Sequence, residues 1–268
     1  MERLRQKIVT LLSDFGLRGS YVAEMKAIIM NKCPEARIVD VTHEIDKFDI
    51  RMGAFVLASG APYFPDGTVH VAVVDPGVGT SRRPIVVESS RCFFVGPDNG
   101  VLMLAALKEG LRHVYAIENT QYMLPRISKT FHGRDVFAPT AAYLAKGLAA
   151  PEFGSEIKDY VVPTFSKPCL KDNAISGEIL HIDDFGNIIT NITLDFLDKV
   201  NVCESQFITV EIAKEAARLK FCSAYGDVSR NEALVLVGSH DFLEVSVNQG
   251  SAAERFRAKR GDSVLVWR

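Results

Sequence analysis

The stretch Val73-Val74-Asp75-Pro76-Gly77-Val78-Gly79-Thr80-Ser81-Arg82-Arg83 decides how this chain is read. An apolar run over residues 69–74 ends in an acid. A Pro-Gly-x-Gly turn follows at once, and then two arginines. A strand that stops at an Asp and opens into a glycine loop is where α/β proteins place their chemistry. The glycines let the backbone turn sharply and approach a ligand. The loop returns Arg82 towards Asp75, so a carboxylate and a guanidinium share one small site. The same residues would also serve a plain β-turn closed by a surface ion pair.

Upstream, residues 8–12 form a short β-branched apolar run, read as a buried strand. It ends in Ser13-Asp14-Phe15-Gly16. Val22, Met25, Ile28 and Ile29 then recur at helical spacing, and Pro34 stops that helix. Asp14 sits before a helix whose free N–H groups favour an anionic or hydroxyl-rich ligand, or it is an ordinary turn Asp. Residues 37–41 are a second strand, ending in Thr42-His43-Glu44. A second helix carries Met52, Phe55 and Val56 and is broken by Pro62. Phe48, just before it, is either a helix staple or an aromatic wall for a flat ligand.

Downstream, residues 84–88 and 92–95 read as two strands joined by the tight link Ser89-Ser90-Arg91. Gly96-Pro97-Asp98-Asn99-Gly100 is a dense turn into a helix over 101–107. Residues 114–117 are another strand. Then comes Thr130-Phe131-His132-Gly133-Arg134-Asp135, with His132 in a loop beside a glycine, and a helix through Ala138, Ala141, Ala142 and Leu144. Strands alternate with helices to about residue 148, the pattern of a mainly parallel sheet covered on both faces. In such a sheet the polar tips at Asp14, His43, Asp75 and His132 should gather on one edge.

After about residue 149 the pattern changes. Pro151, Pro163 and Pro168 mark a linker. Short β-type runs follow at 175–182, 188–192, 207–212, 219–222, 233–237, 242–247 and 263–267, interrupted by a helical patch at 213–218. The expected organisation is an α/β domain over residues 1–160, a linker over 161–173 and a smaller β-barrel-like domain over 174–268. The most polar stretch of the second domain is Asp183-Asp184-Phe185-Gly186-Asn187, which would also suit a simple hairpin.

Composition excludes several classes. The chain has 268 residues and a net charge of -2, with no long run of one sign. That argues against nucleic acid, whose phosphates call for a basic face. The apolar run after the charged residues 1–7 is five residues long, too short for a signal peptide or a membrane span. Cys33, Cys92, Cys169, Cys203 and Cys222 are odd in number and scattered, and read as reduced thiols of a cytoplasmic protein. The glycine loop lacks the third glycine of a dinucleotide fingerprint and the Gly-Lys-Ser/Thr of a P-loop. No Gly-x-Ser-x-Gly elbow occurs. The histidines lack close metal-ligand spacing, so nothing in the sequence supports a metal site and none is assigned.

Six motifs then occur in one order: Ser13-Asp14-Phe15-Gly16, Val74-Asp75-Pro76-Gly77-Val78-Gly79, Val95-Gly96-Pro97-Asp98-Asn99-Gly100, Phe131-His132-Gly133-Arg134-Asp135, Ile182-Asp183-Asp184-Phe185-Gly186-Asn187 and Val247-Asn248-Gln249-Gly250-Ser251-Ala252. Together they resemble the adenosine-forming S-adenosyl-L-methionine (SAM) hydrolases, or SAM hydroxide adenosyltransferases, relatives of fluorinase and chlorinase. The resemblance covers nearly the whole chain. It implies hydrolysis of SAM to adenosine and methionine, with SAM as substrate and no further cofactor. It also implies an N-terminal α/β domain, a C-terminal β-barrel, and a homotrimer whose ligand lies between unlike domains of neighbouring subunits.

By motif, the resemblance puts a water-activating set on Asp75, Arg82 and His132. It puts ribose recognition on Asp14, an aromatic wall on Phe48, and methionine recognition on Asp183 and Asn187. Tyr225 and Ser239 match further contacts, where adenine would lie, and His240 stands where fluorinase has an arginine. The halogenases carry tyrosine in place of Asp75 and an insertion before the segment matching Phe93-Phe94-Val95-Gly96. Both differences favour water over halide as nucleophile. The competing readings are a SAM or adenosine sensor without turnover, a SAM-dependent halogenase, and a metal-dependent hydrolase using the same Asp and His residues.

Overall fold

The computed structural model describes residues 7–171 and 173–268, and the chain divides into one unit up to Pro163 and another from Thr164.

Among the described residues, six strands make the sheet of the first unit: β1 Ile8–Ser13, β2 Arg37–Thr42, β3 Val69–Val73, β4 Pro84–Ser89, β5 Phe93–Pro97 and β6 Leu111–Ala116. Their order is β2-β1-β3-β5-β4-β6. The pairs β1–β2, β1–β3 and β3–β5 are parallel, whereas β4 runs antiparallel to both β5 and β6. The three-residue link between β4 and β5 explains the change: a parallel crossover needs a dozen residues or more, and a hairpin does not.

Among the described residues four α-helices cover this sheet: α1 Tyr21–Lys32, α2 Ile50–Gly60, α3 Met103–Lys108 and α4 Ala138–Ala145. Strand side chains alternate between faces. Val9, Leu11, Val71 and Val73 pack on Met25 and Ile29 of α1 and Ala138, Ala141 and Ala142 of α4. Thr10, His70 and Phe94 point the other way and form a buried cross-strand row in which Thr10 faces His70 and His70 faces Phe94. α2 and α3 pack against each other. The parallel strands β1 and β3 end at the same level, which brings Asp14 and Asp75 to one rim.

The second unit opens with β7 Cys169–Lys171, β8 Ala174–Ile182 and β9 Ile188–Thr193. A short helix, α5 Leu194–Lys199, follows β9. Then come β10 Phe207–Ile212, β11 Glu215–Phe221, β12 Ala233–Val237, β13 Phe242–Val247, α6 Ala252–Arg255 and β14 Ser263–Trp267. Among the described residues, seven strands close into a barrel in the order β14-β10-β11-β12-β13-β9-β8, sealed by β14 against β8, with β7 outside it on β8. Ile175, Ile179, Ile188, Ile192, Ile208, Val210, Leu243, Val245, Val264 and Val266 fill one contiguous core. Residues 213–218, expected to be helical, instead form a turn and the start of β11. Ala213 and Lys214 take φ of 49° and 75°, and β11 pairs along its length with β10.

Candidate active site

Asp14 follows the last residue of β1 and is buried. Its carboxylate accepts the Phe48 backbone N–H at 2.9 Å, and its carbonyl accepts the Lys47 ammonium. Gly16 N–H donates to the His43 carbonyl at 2.7 Å, so the 43–48 loop folds over the Asp14 loop. Phe48 takes a left-handed backbone at this turn, φ 66°, and the residue is 68% exposed. It therefore does not staple α2. That helix is capped by Asp49, which accepts the Met52 N–H at 2.8 Å.

Asp75 and Arg82 meet as the glycine loop requires. Arg82 Nε donates to Asp75 Oδ1 at 2.9 Å, and Nη2 donates to Oδ2. Both side chains are almost wholly buried, so the pair is no surface bridge. Gly79 has φ 76°, and a Cβ there would stand 2.3 Å from the Lys129 carbonyl oxygen. The glycine loop thus rests backbone on backbone against the loop that carries His132. Arg82 Nη2 also lies 2.9 Å from His132 Nδ1. Arg82 Nη1 is buried and has no hydrogen-bond partner among the described residues, leaving one guanidinium donor for an oxygen at this place. The imidazole of His132 is held below its ordinary pKa of 6.5 by burial first and by the Arg82 charge second, against the opposing pull of Asp75 and Asp135.

Asp14, Phe48, Asp75 and His132 line one depression of about 380 Å³, together with Phe15, Tyr21, Lys47, Val73, Val78, Thr130, Phe131 and Gly133, and Arg82 is bonded to Asp75 and lies against His132 outside that lining. Asp14, Phe48, Asp75 and His132 are brought together there. His43 is not. It lies buried beneath the rim, with Nδ1 2.7 Å from the Ser13 hydroxyl and Nε2 3.1 Å from Asp40 Oδ1. Lys47 and Tyr21 belong to the depression and went unread in the sequence. Tyr21 opens α1 and packs edge-on against Phe131 at 5.0 Å between ring centres, and no local pattern separates it from a plain helix residue.

The barrel carries a second depression of about 600 Å³, lined by Asp183, Phe185, Asn187, Tyr225 and residues 247–250. Asp183 and Asn187 do close a hairpin. Asp183 Oδ1 accepts the Asn187 N–H at 2.8 Å and Oδ2 accepts its side-chain amide at 3.0 Å. The turn nevertheless leaves Phe185 80% exposed. The Tyr225 hydroxyl donates to Glu244 at 2.7 Å, and burial followed by that carboxylate pushes the phenol pKa well up. Glu244, on the outward side of β13, is buried and also accepts the Ser246 hydroxyl at 2.6 Å. Ser239 and His240 sit in the turn between β12 and β13, outside the lining of this depression. Among the described residues no group of His, Cys, Asp and Glu is arranged to hold a metal ion.

Residues 9–154 match the SAM hydroxide adenosyltransferase N-terminal domain, and residues 177–265 match the C-terminal domain of the same family. A Thermus thermophilus protein named (R)-S-adenosyl-L-methionine hydrolase is 38% identical over 96% of this chain and 98% of its own. One of the same name from Methanocaldococcus jannaschii is 37% identical over 97% and 95%. A fluorinase of Actinoplanes is 25% identical over 97% of each chain. A solved structure of an uncharacterized conserved protein from Thermotoga maritima superposes with a TM-score of 0.86 at 39% identity, over 97% of this chain and all of the other. With both of its domains matched and nearly its full length aligned, this chain belongs to the SAM hydroxide adenosyltransferase family.

Proposed function

We propose that the protein hydrolyses SAM to adenosine and L-methionine by in-line attack of water on the ribose C5′. The observation that carries this reading is the linked Asp75–Arg82–His132 set, whose Asp75 and His132 line the same depression as Asp14, in a chain whose relatives at 38% and 37% identity are named for SAM hydrolysis. Binding alone would need no such set, which speaks against a sensor. A carboxylate at position 75 repels halide, which speaks against a halogenase.

The sulfonium of SAM is already a good leaving group and departs as a neutral thioether, so neither a general acid nor a Lewis acid is required. The reaction needs a water in line with the C–S bond and about 3–3.5 Å behind C5′. Arginine cannot accept a hydrogen bond, so His132 Nδ1 accepts from Arg82 and the ring proton sits on Nε2. His132 then orients the water as a donor, and the proton passes to Asp75. Both Asp75 oxygens accept from Arg82, yet each keeps a second lone pair. The Arg82 Nη1 donor stabilises the hydroxide as it develops. Because attack merges opposite charges, a water-poor pocket favours it.

In this reading Asp14 holds the ribose hydroxyls and Phe48 flanks the ligand. Asp183 and Asn187 hold the methionine end, and Tyr225 and Ser239 lie towards the adenine. One ligand then draws on both units, and a homotrimer supplies them from neighbouring subunits. The free thiols of all five cysteines favour a cytoplasmic setting, and no helix among the described residues is long and apolar enough to cross a membrane.

The test is a single turnover in oxygen-18 water with SAM bearing a stereospecific deuterium at C5′, after dialysis against a chelator. Labelled adenosine with inversion is the expected product. Retention would mean a covalent Asp75 ester, unlabelled adenosine would exclude solvent as nucleophile, and a halogenated nucleoside in chloride buffer would overturn the reading of Asp75. Light scattering that finds a fully active monomer would refute the shared site.

A further inference from the structure

Asp135 is completely buried, and nothing in the chemistry above uses it. Its carboxylate is nonetheless fully engaged. Oδ1 accepts Arg134 Nε at 2.6 Å, and Oδ2 accepts the Ser128 N–H at 2.7 Å and Arg134 Nη2 at 3.2 Å. Arg134 continues outward. Its Nη1 donates to Glu24 at 2.8 Å in the first turn of α1, and Glu24 also accepts the Ser20 hydroxyl at 2.7 Å. The same guanidinium lies 5.0 Å over the Phe131 ring. Phe131 packs on Tyr21 and on Phe15, at 5.0 and 5.7 Å between ring centres. One buried carboxylate therefore ties together the 128–131 loop, the His132 turn and the head of the helix that follows Asp14.

The backbone there has no slack. Residues Gly133–Phe137 form a π turn directly after His132, the rare wide turn that recurs at functional sites. A Cβ on Gly133 would meet Met25 Sδ at 3.1 Å and Phe131 at 3.2 Å. On the other side, Gly79 seats the Asp75–Arg82 loop against the Lys129 carbonyl. A shift of the 128–132 loop must therefore change the Arg82–His132 contact. Packing alone does not account for a charged residue at position 135, because a buried ion pair is often matched or bettered by apolar residues of similar volume.

We propose that Asp135, acting through Arg134 and the Ser128 amide, is the positioning residue that keeps His132 in register with Arg82 and Asp75 and couples that register to the head of α1. This rests on the reading of His132 as part of the water-activating set. The charged groups acting on His132 are Arg82 and Asp75 from the glycine loop and Asp135 from its own turn. Asp135 opposes Arg82 at the imidazole, so its charge bears on the ring's basicity as well as on its place.

Three variants decide it, each read by steady-state kinetics with SAM and by NMR titration of the His132 ring proton. Asp135→Asn keeps an oxygen for the Ser128 N–H but removes the charge. Its kcat should fall by about tenfold or more, the loss that a sub-ångström to 1 Å misplacement produces, with KM for SAM little changed, and His132 should titrate at lower pH than in the parent. Arg134→Met removes the bridge and leaves the carboxylate uncompensated, so kcat should again fall while His132 titrates at higher pH. Glu24→Gln, at the outer end, should give the same kinetic change in weaker form. Opposite movements of the His132 titration are a signature that general loosening does not produce. A folded Asp135→Asn protein with parental kcat and parental His132 titration overturns the proposal. If that variant does not fold, unchanged kcat and titration in Arg134→Met overturn it equally. Should the parent make no adenosine at all, the hydrolase reading fails, and the paired titrations still judge the positioning role.

Discussion

Arg82 Nη2 and His132 Nδ1 stand 2.9 Å apart, and because only the arginine can donate, this contact fixes the imidazole as neutral with its proton on Nε2. Protonation of Nδ1 would set two donors against each other. Burial and the Arg82 charge both press the ring pKa below 6.5. The active, neutral form therefore persists as pH falls through 6.5 and is lost only beneath it. We expect kcat to stay level through neutrality and to decline on an acidic limb centred below pH 6.5. A limb centred above that value would contradict the assigned tautomer.

Asp75 and Asp14 should separate kinetically. Asp75→Asn keeps the shape of the side chain and removes the proton acceptor, so kcat should drop by about 10²–10⁴-fold while SAM still binds. On the proposed roles, Asp14→Ala deletes a charged acceptor for ribose hydroxyls, and it also frees the Phe48 N–H. Its affinity should fall by about 1.5–3 kcal/mol, the usual worth of a hydrogen bond to a charged group. Calorimetry with SAM beside turnover on both variants checks this, and equal losses of affinity would merge the two roles.

Phe48 is held in a conformation that suits glycine, at an exposed position on the rim of the depression. Phe48→Gly relieves the left-handed strain but loosens the unfolded chain, and the two effects are each about 1 kcal/mol and opposed. Thermal stability should therefore hardly move. KM for SAM should rise severalfold, because the aromatic wall is gone. A variant with unchanged KM would remove Phe48 from the site.

His70 governs acid stability from inside the sheet. Its Nδ1 bonds Thr10 Oγ1 at 2.8 Å, its ring stacks on Phe94, and its Nε2 is buried without a partner among the described residues. Burial lowers its pKa to about 4. An unfolded chain takes up a proton near pH 6.5 that the folded chain refuses until about 4. Stability is thus fully present above 6.5 and is lost as pH falls towards 4, by up to about 3 kcal/mol. Urea midpoints at pH 7 and pH 4.5 should show this in the parent. The loss should shrink in the Thr10→Val, His70→Phe double variant, which removes both polar partners together.

Sequence legibility followed the range of the forces involved. Asp14, Asp75 and His132 were readable as one edge because strand-end acids beside glycine turns are local signals. The order β5-β4-β6 was not, since alternation of strands and helices says nothing of direction. The three-residue link at 90–92 held that information. Residues 213–218, Ala-Lys-Glu-Ala-Ala-Arg, are strong helix formers, and pairing of β11 with β10 and β12 overrode that preference. His43 ends a strand as the others do, but the bond from Ser13 draws it inward, and no spacing rule foretells a side chain's burial. Asp135 was visible only as one letter of a motif. Its weight comes from Ser128, Arg134 and Glu24, brought together by the fold.

The barrel seam has a consequence for how the protein comes into being on the ribosome. Among the described residues β14 is made after every other strand of the barrel, yet it is the partner of both β8 and β10. Two early strands must wait for it with their ladders half filled, while every strand of the first sheet has emerged by Ala116. The two halves of one polypeptide therefore mature on different clocks. The α/β unit can fold during synthesis, and the barrel remains open to chaperones and proteases until its final strand appears.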